Sequence, residues 1–307
     1  MLKRLAIHDG RLTATEDPGA PLRIYIAPTE SERRHLVDDL HLDEHTLASS
    51  LDPDELCRLE FEPDHFAIIC KRARSYTAQD NMLFRVLSAG MFLFKDFLVI
   101  VLAEDVPLLE GRQFLRVTSL QDIILKVIHR AILHFEEHLK VINIISGQLE
   151  QEISTAMENR HLLNLFTLEK SLVYYVNAIN SNGVLIGKLR NNAVKLGLTP
   201  DNLELLDDVS IENDQCRQQA QIYSDILASM MDARVSIVSN NLNLLMKTLN
   251  IITIGIMMPT LVVSIFSMNV LLPLPQGEDA WWPFWVVMAI AAACGIGIWH
   301  LWRRKWR

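Results

Sequence analysis

Two long stretches without charged residues, both near the end of the 307-residue chain, constrain the fold most. No Asp, Glu, Lys or Arg occurs between Lys247 and Glu278, and the segment 249–266 is almost wholly apolar. The next charge-free run covers residues 280–302. A helix needs about 18–20 apolar residues to cross a bilayer, so each run is long enough. A buried core helix is also apolar, but two such runs side by side favour two C-terminal transmembrane helices.

The flanking residues predict how these spans are oriented. Lys247 precedes the first span and a basic tail, residues 303–307, follows the second, whereas the loop between them carries Glu278 and Asp279 and no base. Because basic residues stay on the cytoplasmic side, we expect both termini in the cytoplasm of a prokaryotic inner or plasma membrane. The tail would contact anionic lipid headgroups. Tryptophans typical of lipid–water interfaces begin and end the second span: Trp281, Trp282, Trp285, Trp299, Trp302 and Trp306.

The remaining chain is acidic. The whole protein has a formal net charge of −8, and residues 1–247 alone carry 35 acidic and 25 basic side chains. This balance argues against a nucleic-acid-binding protein. The four cysteines are widely scattered, which predicts reduced thiols and no cysteine metal site. The chain has no glycine-rich phosphate loop and no nucleophile motif, so we predict neither an enzyme nor a cofactor.

Apolar patterning predicts an α+β protein with four parts. Residues 1–115 are expected to form a cytosolic α/β domain, and residues 116–247 a bundle of long helices with a stalk. Residues 248–302 would form the two spans with a short outer loop, and 303–307 the cytosolic tail. Within the bundle we predict a helix from Ser119, a second from about His161 to Val194 with an irregularity near Asn182-Gly183, and a third that starts at Thr199 and continues into the first span. Strands are predicted at residues 22–27, 57–61, 66–71, 91–94 and 97–102. Between the first two strands, residues 29–32 have the pattern of a capping box that opens a helix, whose apolar face is supplied by Leu36, Leu40 and Leu47.

The first span carries a stripe of polar and thioether side chains along one face. Successive members are three or four residues apart, which at 100° per residue places them on a single side of the helix. They are Asn243, Met246, Asn250, Thr253, Met257, Thr260, Ser264 and Ser267. Polar groups in hydrocarbon need partners or water. The stripe is therefore either a helix–helix packing face or the wall of a water-filled pore built from several copies.

The end of this span resembles the signature of the CorA family of divalent-cation transporters. That signature is Gly-Met-Asn at the outer end of the first of two C-terminal spans, and here the sequence reads Ser267-Met268-Asn269. Residues 240–249 and Pro259 are also similar to the family's stalk-to-span segment. The resemblance in architecture covers the whole chain, and the resemblance in motif covers about residues 240–273. Serine replaces the glycine, and the outer loop has no matching acid directly after its proline.

The resemblance implies a funnel-shaped homopentamer with one axial pore for a hydrated divalent cation, Mg²⁺ or Zn²⁺, Co²⁺ or Ni²⁺. Asn269 would form a ring at the outer mouth, and Thr260, Asn250 and Asn243 would contact the hydrated ion further in. The other pore-lining or gating positions would be Ser267, Met268, Ser264, Met257, Thr253, Leu249 and Met246. Glu278 and Asp279 would attract cations to the outer mouth. The serine in the motif leaves a second function open, a membrane-anchored scaffold that keeps the fold without conduction.

Two cytosolic clusters also contain metal-ligand residue types. His134 and His138 are one helical turn apart, close to His129, Glu136 and Glu137. No third ligand is fixed by the sequence, so we interpret this cluster as a solvated helix face. A set of acids that would serve either as a solvated helix start or as a regulatory cation site follows Thr199: Asp201, Glu204, Asp207, Asp208, Glu212 and Asp214.

Overall fold

A computed structural model describes residues 1–77, 80, 82–155, 159–268 and 281–305. The chain divides into two compact units, Met1–Met231 and Asp232–Arg307. The first unit combines a sheet with long helices, and the second holds the two apolar helical segments that the sequence predicts as membrane spans.

A seven-stranded mixed sheet forms the centre of the first unit. Its strands are β1 (Leu2–His8), β2 (Arg11–Ala14), β3 (Leu22–Ile26), β4 (Arg58–Phe61), β5 (His65–Ala73), β6 (Val86–Phe94) and β7 (Leu98–Leu102). They lie in the order β2-β1-β3-β7-β6-β5-β4, with β3 and β7 parallel and the other neighbouring pairs antiparallel. Every side chain of β7 is buried, as expected for a middle strand covered on both faces. The five predicted strands are confirmed, and β1 and β2 are additional.

Short helices cover one face of the sheet. Helix α1 (Glu30–Arg34) begins with the predicted capping box, in which Thr29 and Glu32 satisfy each other's backbone N–H groups. A π-helical segment (His35–Asp39) follows, and then α2 (Glu44–Ser49). Leu36 and Leu47 are buried against the sheet, so the predicted apolar face is present although the helix is divided.

Long helices cover the other face. Helices α3 (Leu120–Thr155) and α4 (Asn159–Asn191) pack against β5 and β6. A single turn, α5 (Ala193–Leu196), and Gly197 in the left-handed conformation (φ 69°) lead to α6 (Pro200–Phe266). Thr199 caps α6 as predicted, because its hydroxyl accepts a hydrogen bond from the Asn202 backbone at 3.2 Å. The second apolar helix, α7, spans Trp282–Lys305.

The predicted irregularity near Asn182-Gly183 is wrong, because α4 is continuous there. Asn182 is fully buried, and its amide pairs with both backbone groups of Lys71 at 2.8 and 2.9 Å. Lys71 lies two residues beyond the last β5 residue that pairs with β4, Ile69. The Asn182 side chain therefore takes the place of a strand partner at the point where β4 is missing.

The N-terminal part of α6 belongs to the core of the first unit. Its buried side chains lie three to seven residues apart: Leu206, Val209, Cys216, Ala220 and Leu227. Their spacing is that of one packed face of a helix. The family-like arrangement of a mixed α+β body, a long helix and two C-terminal apolar helices is thereby confirmed.

Candidate ion-conduction site

The C-terminal part of α6 and nearly all of α7 are long and apolar enough to cross a membrane. The most apolar stretch of α6 has no buried side chain in the isolated chain, and among the α7 side chains that the structure describes only Ala291 is buried. A soluble core helix would be covered by its own protein. These two helices instead present their apolar surface outward, as a membrane protein does.

One face of each helix is partly covered, and the two faces match. On α6 the half-buried residues recur every three or four positions: Ile251, Gly255, Pro259, Val262 and Phe266. On α7 the covered residues recur in the same way: Pro283, Val287, Ala291, Cys294, Gly295, Ile298 and Trp302. A β-carbon built at Gly295 would lie 3.7 Å from Cγ of Pro259, which places the two faces in contact.

The polar stripe lies on the other side of α6. At about 100° per residue, its centre is roughly 180° from the face that contacts α7. All eight stripe residues, together with Leu249 and Met268, are exposed. At the outer end, Thr260, Ser264 and Ser267 also border a groove whose far wall contains Met288 and Ala292 of α7. The second span of the same chain therefore leaves most of the stripe uncovered, so its partners must be water or another molecule.

Three of the four hydroxyl groups of the stripe have a fixed polarity. Thr253 and Thr260 donate to the carbonyl oxygens of Leu249 and Ile256, four residues earlier, at 2.9 and 2.8 Å. Ser267 donates to the Ser264 carbonyl at 2.9 Å. A hydroxyl has one proton and two lone pairs, so each of these groups faces outward as an acceptor only. Such a surface accepts hydrogen bonds from the water shell of a cation.

Serine at the glycine position of the motif is accommodated without backbone strain. The Ser267 backbone N–H reaches the Val263 carbonyl at 3.1 Å, so Ser267 extends the last turn of α6. Its φ angle is not in the left-handed region that would favour glycine. The Ser267 side chain borders the grooves beside α7 rather than the centre of the stripe.

The rest of the predicted mouth lies outside the described residues. This applies to Asn269 and to the loop acids Glu278 and Asp279. Their roles stay predictions.

Three of the six acids in the N-terminal part of α6 have basic partners. Asp207 pairs with Arg190 at 3.2 Å, Glu212 with His129 at 2.5 Å, and Asp214 with Arg217 at 3.5 Å. Within the described parts of the chain, no group of three or more metal-ligand side chains comes together.

The interpretation of the α3 cluster as a solvated face is wrong for His138 and His134, although Glu137 is exposed. His138 is only 7% exposed and its Nδ1 lies 2.6 Å from the Tyr175 hydroxyl of α4, while His134 is half-buried beside it. Sequence reasoning missed this arrangement because the contact joins residues 37 positions apart on two helices. The one available signal was the apolar spacing of α3, which puts His138 next to the core residue Leu139.

Comparisons with known proteins match this architecture. A profile of the family described as "CorA-like Mg2+ transporter protein" matches residues 24–304. The cobalt/magnesium transport protein CorA of Methanocaldococcus jannaschii is 22% identical over 299 residues, covering 91% of this chain and 88% of that protein. The complete structure of the CorA magnesium transporter from Methanocaldococcus jannaschii superimposes with a TM-score of 0.81 at 19% identity, covering 99% and 96% of the two chains.

Two further solved structures share the fold. Full-length CmaX gives a TM-score of 0.70 at 12% identity, with 99% of this chain and 97% of that chain covered. The cytoplasmic domain of ZntB from Vibrio parahaemolyticus gives 0.59 at 15% identity, with 78% and 98% covered. The family profile covers nearly the whole chain, both apolar helices included, and the chain is therefore an integral membrane protein that belongs to the CorA family of divalent-cation transporters.

Proposed function

We propose that this chain forms a homopentamer that conducts hydrated divalent cations, Mg²⁺ above all, through an axial pore lined by the stripe of α6. Asn269 forms the ring at the outer mouth, and Met257 and Leu249 are the apolar constrictions. The protein lies in a prokaryotic inner membrane. Both termini are on the cytoplasmic side, because the basic residues that flank the two spans stay there.

The observation that carries this proposal is the position of the stripe. The stripe lies opposite the face that contacts α7, so the chain's own second span provides no hydrogen-bond partners for most of its polar side chains. Polar groups facing lipid are costly, whereas the same groups around a water-filled axis are solvated. Two spans are too few to enclose an axis, so several copies are required.

The chemistry of the stripe supports a hydrated ion. Mg²⁺ loses its water reluctantly. The span carries no carboxylate and no thiolate between Lys247 and Glu278, so it offers no tight inner-shell site. Neutral acceptors such as the Thr253 and Thr260 hydroxyls bind the outer water shell weakly, and conduction needs sites that the ion can leave.

The direct test is divalent flux into liposomes that contain the purified full chain. A panel of Mg²⁺, Co²⁺, Ni²⁺ and Zn²⁺, each with and without a pH gradient, identifies the cargo and any coupling to protons. We expect Mg²⁺ flux in the wild type and a marked loss in Asn269→Ala. Asn241→Ala is the matched control, because Asn241 lies on α6 opposite the stripe and should leave flux unchanged.

The scaffold function makes the opposite prediction. It requires that no divalent ion crosses under any gradient, in wild type and variants alike. Unchanged flux in Asn269→Ala would instead remove the mouth assignment and leave the rest of the pathway in place.

A further inference from the structure

Two imidazoles lie side by side on the cytosolic helix α3. His134 and His138 are four residues apart, and their ring centroids are separated by 4.4 Å with an angle of 63° between the planes. His138 is almost completely buried and His134 is half-buried, so solvent reaches the pair mainly at His134.

The orientation of His138 is held from several sides. Its Nδ1 lies 2.6 Å from the hydroxyl of Tyr175, a fully buried residue of α4. Phe84 packs edge-on against the ring at a centroid distance of 5.5 Å. A histidine whose second nitrogen is bonded to an oxygen has the arrangement typical of a metal ligand, in which the outer group fixes the ring and its tautomer.

Burial favours the neutral form of both imidazoles. Burial lowers the pKa of His138 to about 4, and burial also lowers the pKa of His134. When Nδ1 of His138 donates its proton to the Tyr175 oxygen, the lone pair of Nε2 is free for a metal, and an incoming ion does not have to displace a proton.

The separation of the rings indicates which ions fit. With metal–nitrogen distances near 2.1 Å, two imidazoles bound at right angles to one ion have ring centres about 4.5 Å apart, whereas tetrahedral binding needs about 5.2 Å. We propose that His134 and His138 form a cytosolic site for a transition-metal ion with octahedral or tetragonal geometry, Ni²⁺, Co²⁺ or Cu²⁺, completed by water. Imidazole nitrogen does not suit Mg²⁺, so the site would separate these ions from Mg²⁺.

Nearby charges set the strength of binding. Glu137 lies between the two histidines in the sequence and raises the pKa of both, so its carboxylate attracts a cation to the pair. Arg72 and Arg130 lower the pKa of His134, so they repel a cation. The site should therefore bind these ions reversibly and not hold them permanently.

The test measures Ni²⁺ binding to the full chain in detergent, purified through a tag that contains no histidine. Excess Mg²⁺ keeps oxygen-only sites occupied. We expect His134→Gln and His138→Gln each to weaken Ni²⁺ binding by at least about tenfold, since changes to metal-site groups cost this much or more. His129→Gln is the matched control, because His129 lies on the same helix and pairs with Glu212 instead.

A spectroscopic measurement keeps the proposal falsifiable if His138→Gln fails to fold. With Cu²⁺, the electron paramagnetic resonance spectrum of the wild type should contain a component with two nitrogens that His134→Gln removes and His129→Gln retains. Ni²⁺ affinity and Cu²⁺ spectra that are unchanged in His134→Gln overturn the proposal. The result does not depend on transport, because binding is measured without a membrane gradient.

Discussion

The two units of the molecule differ in where their polar side chains find hydrogen-bond partners. In the first unit, the buried amides of Asn182 and Asn213 bond to distant parts of the same chain, to Lys71 and, at 3.1 Å, to the Ile179 carbonyl. In the second unit, the stripe hydroxyls of Thr253 and Thr260 bond only within their own helix and are otherwise exposed. These two amides therefore find partners elsewhere in their own unit, whereas the stripe hydroxyls leave their remaining acceptor sites open to the surroundings.

The largest effect is expected when the hydrogen bonds between Asn182 and Lys71 in the first unit are removed. Asn182→Ala leaves the Lys71 N–H and carbonyl buried without partners, which should lower the free energy of unfolding by roughly 2–5 kcal/mol. Thermal and denaturant unfolding of the full chain in detergent measure this. Asn180→Ala removes an exposed amide two residues earlier and should change stability by less than about 0.5 kcal/mol. Equal stability of the two variants would contradict the strand-partner role of Asn182.

The second prediction uses pH to disturb the same unit. Burial lowers the pKa of His65 in the folded protein below the value of about 6.5 in the unfolded chain, with Glu62 and Asp64 opposing in part. The unfolded state then binds more protons than the folded state as the pH falls. The contribution of His65 to stability is therefore fully present above about pH 6.5 and is lost in acid. His65→Phe should reduce, without abolishing, the decrease of the melting temperature below about pH 6.5, because burial also lowers the pKa values of His134 and His138. The exposed His8→Gln should leave the decrease as in the wild type, and a decrease that is equally large in His65→Phe would assign it to those other histidines.

The third prediction addresses the second unit and sharpens the contrast. Thr260→Val removes an acceptor from the stripe but no tertiary bond, so we expect Mg²⁺ flux to fall about tenfold, roughly 1.4 kcal/mol, with little change in melting temperature. Thr248→Val is closely matched, because Thr248 makes the same kind of backbone bond to Leu244 at 2.9 Å on the opposite side of the helix. Flux that falls equally in both variants would mean that the loss of a hydroxyl acts through the helix and not through the pore.

The smallest effect is expected for a substitution of Ser267, at the C-terminal end of α6. Ser267→Gly restores the family residue, but Ser267 sits in an unstrained turn and its side chain borders the groove beside α7. Flux and ion preference should change less than about twofold, since the hydroxyl bond is worth only about 1 kcal/mol. A change of selectivity in the liposome panel would show instead that the serine shapes the mouth.

Features that depend on nearby residues could be predicted from the sequence. The capping box at Thr29, the start of α6 and the two spans all rest on patterns within a few residues or on long apolar runs. The hairpin of β1 and β2 was missed although its turn, Asp9-Gly10, is a known hairpin signal and both residues have positive φ. Charged residues within β1 interrupt the alternation of apolar and polar side chains that predicts a strand.

Features that depend on tertiary contacts could not be predicted. Asn182-Gly183 has the composition of a helix break, yet the bond to Lys71, 111 residues away, stabilises a continuous helix. For the candidate pore, the sequence defined the stripe but left its partner open. Only the covered face through Pro259 and Gly295 showed that the second span lies on the other side. The acceptor-only polarity of the hydroxyls also required coordinates.

That fixed polarity bears on the sign of the permeating ion. An anion needs donors from its surroundings, and Thr253 and Thr260 have already committed their only protons to the helix backbone. In the proposed pore, these hydroxyl positions would thus disfavour chloride while carrying no net charge. No side chain there would have to turn as a cation passes, so these positions would need no reorganisation between one ion and the next, and their neutrality would keep each ion weakly bound.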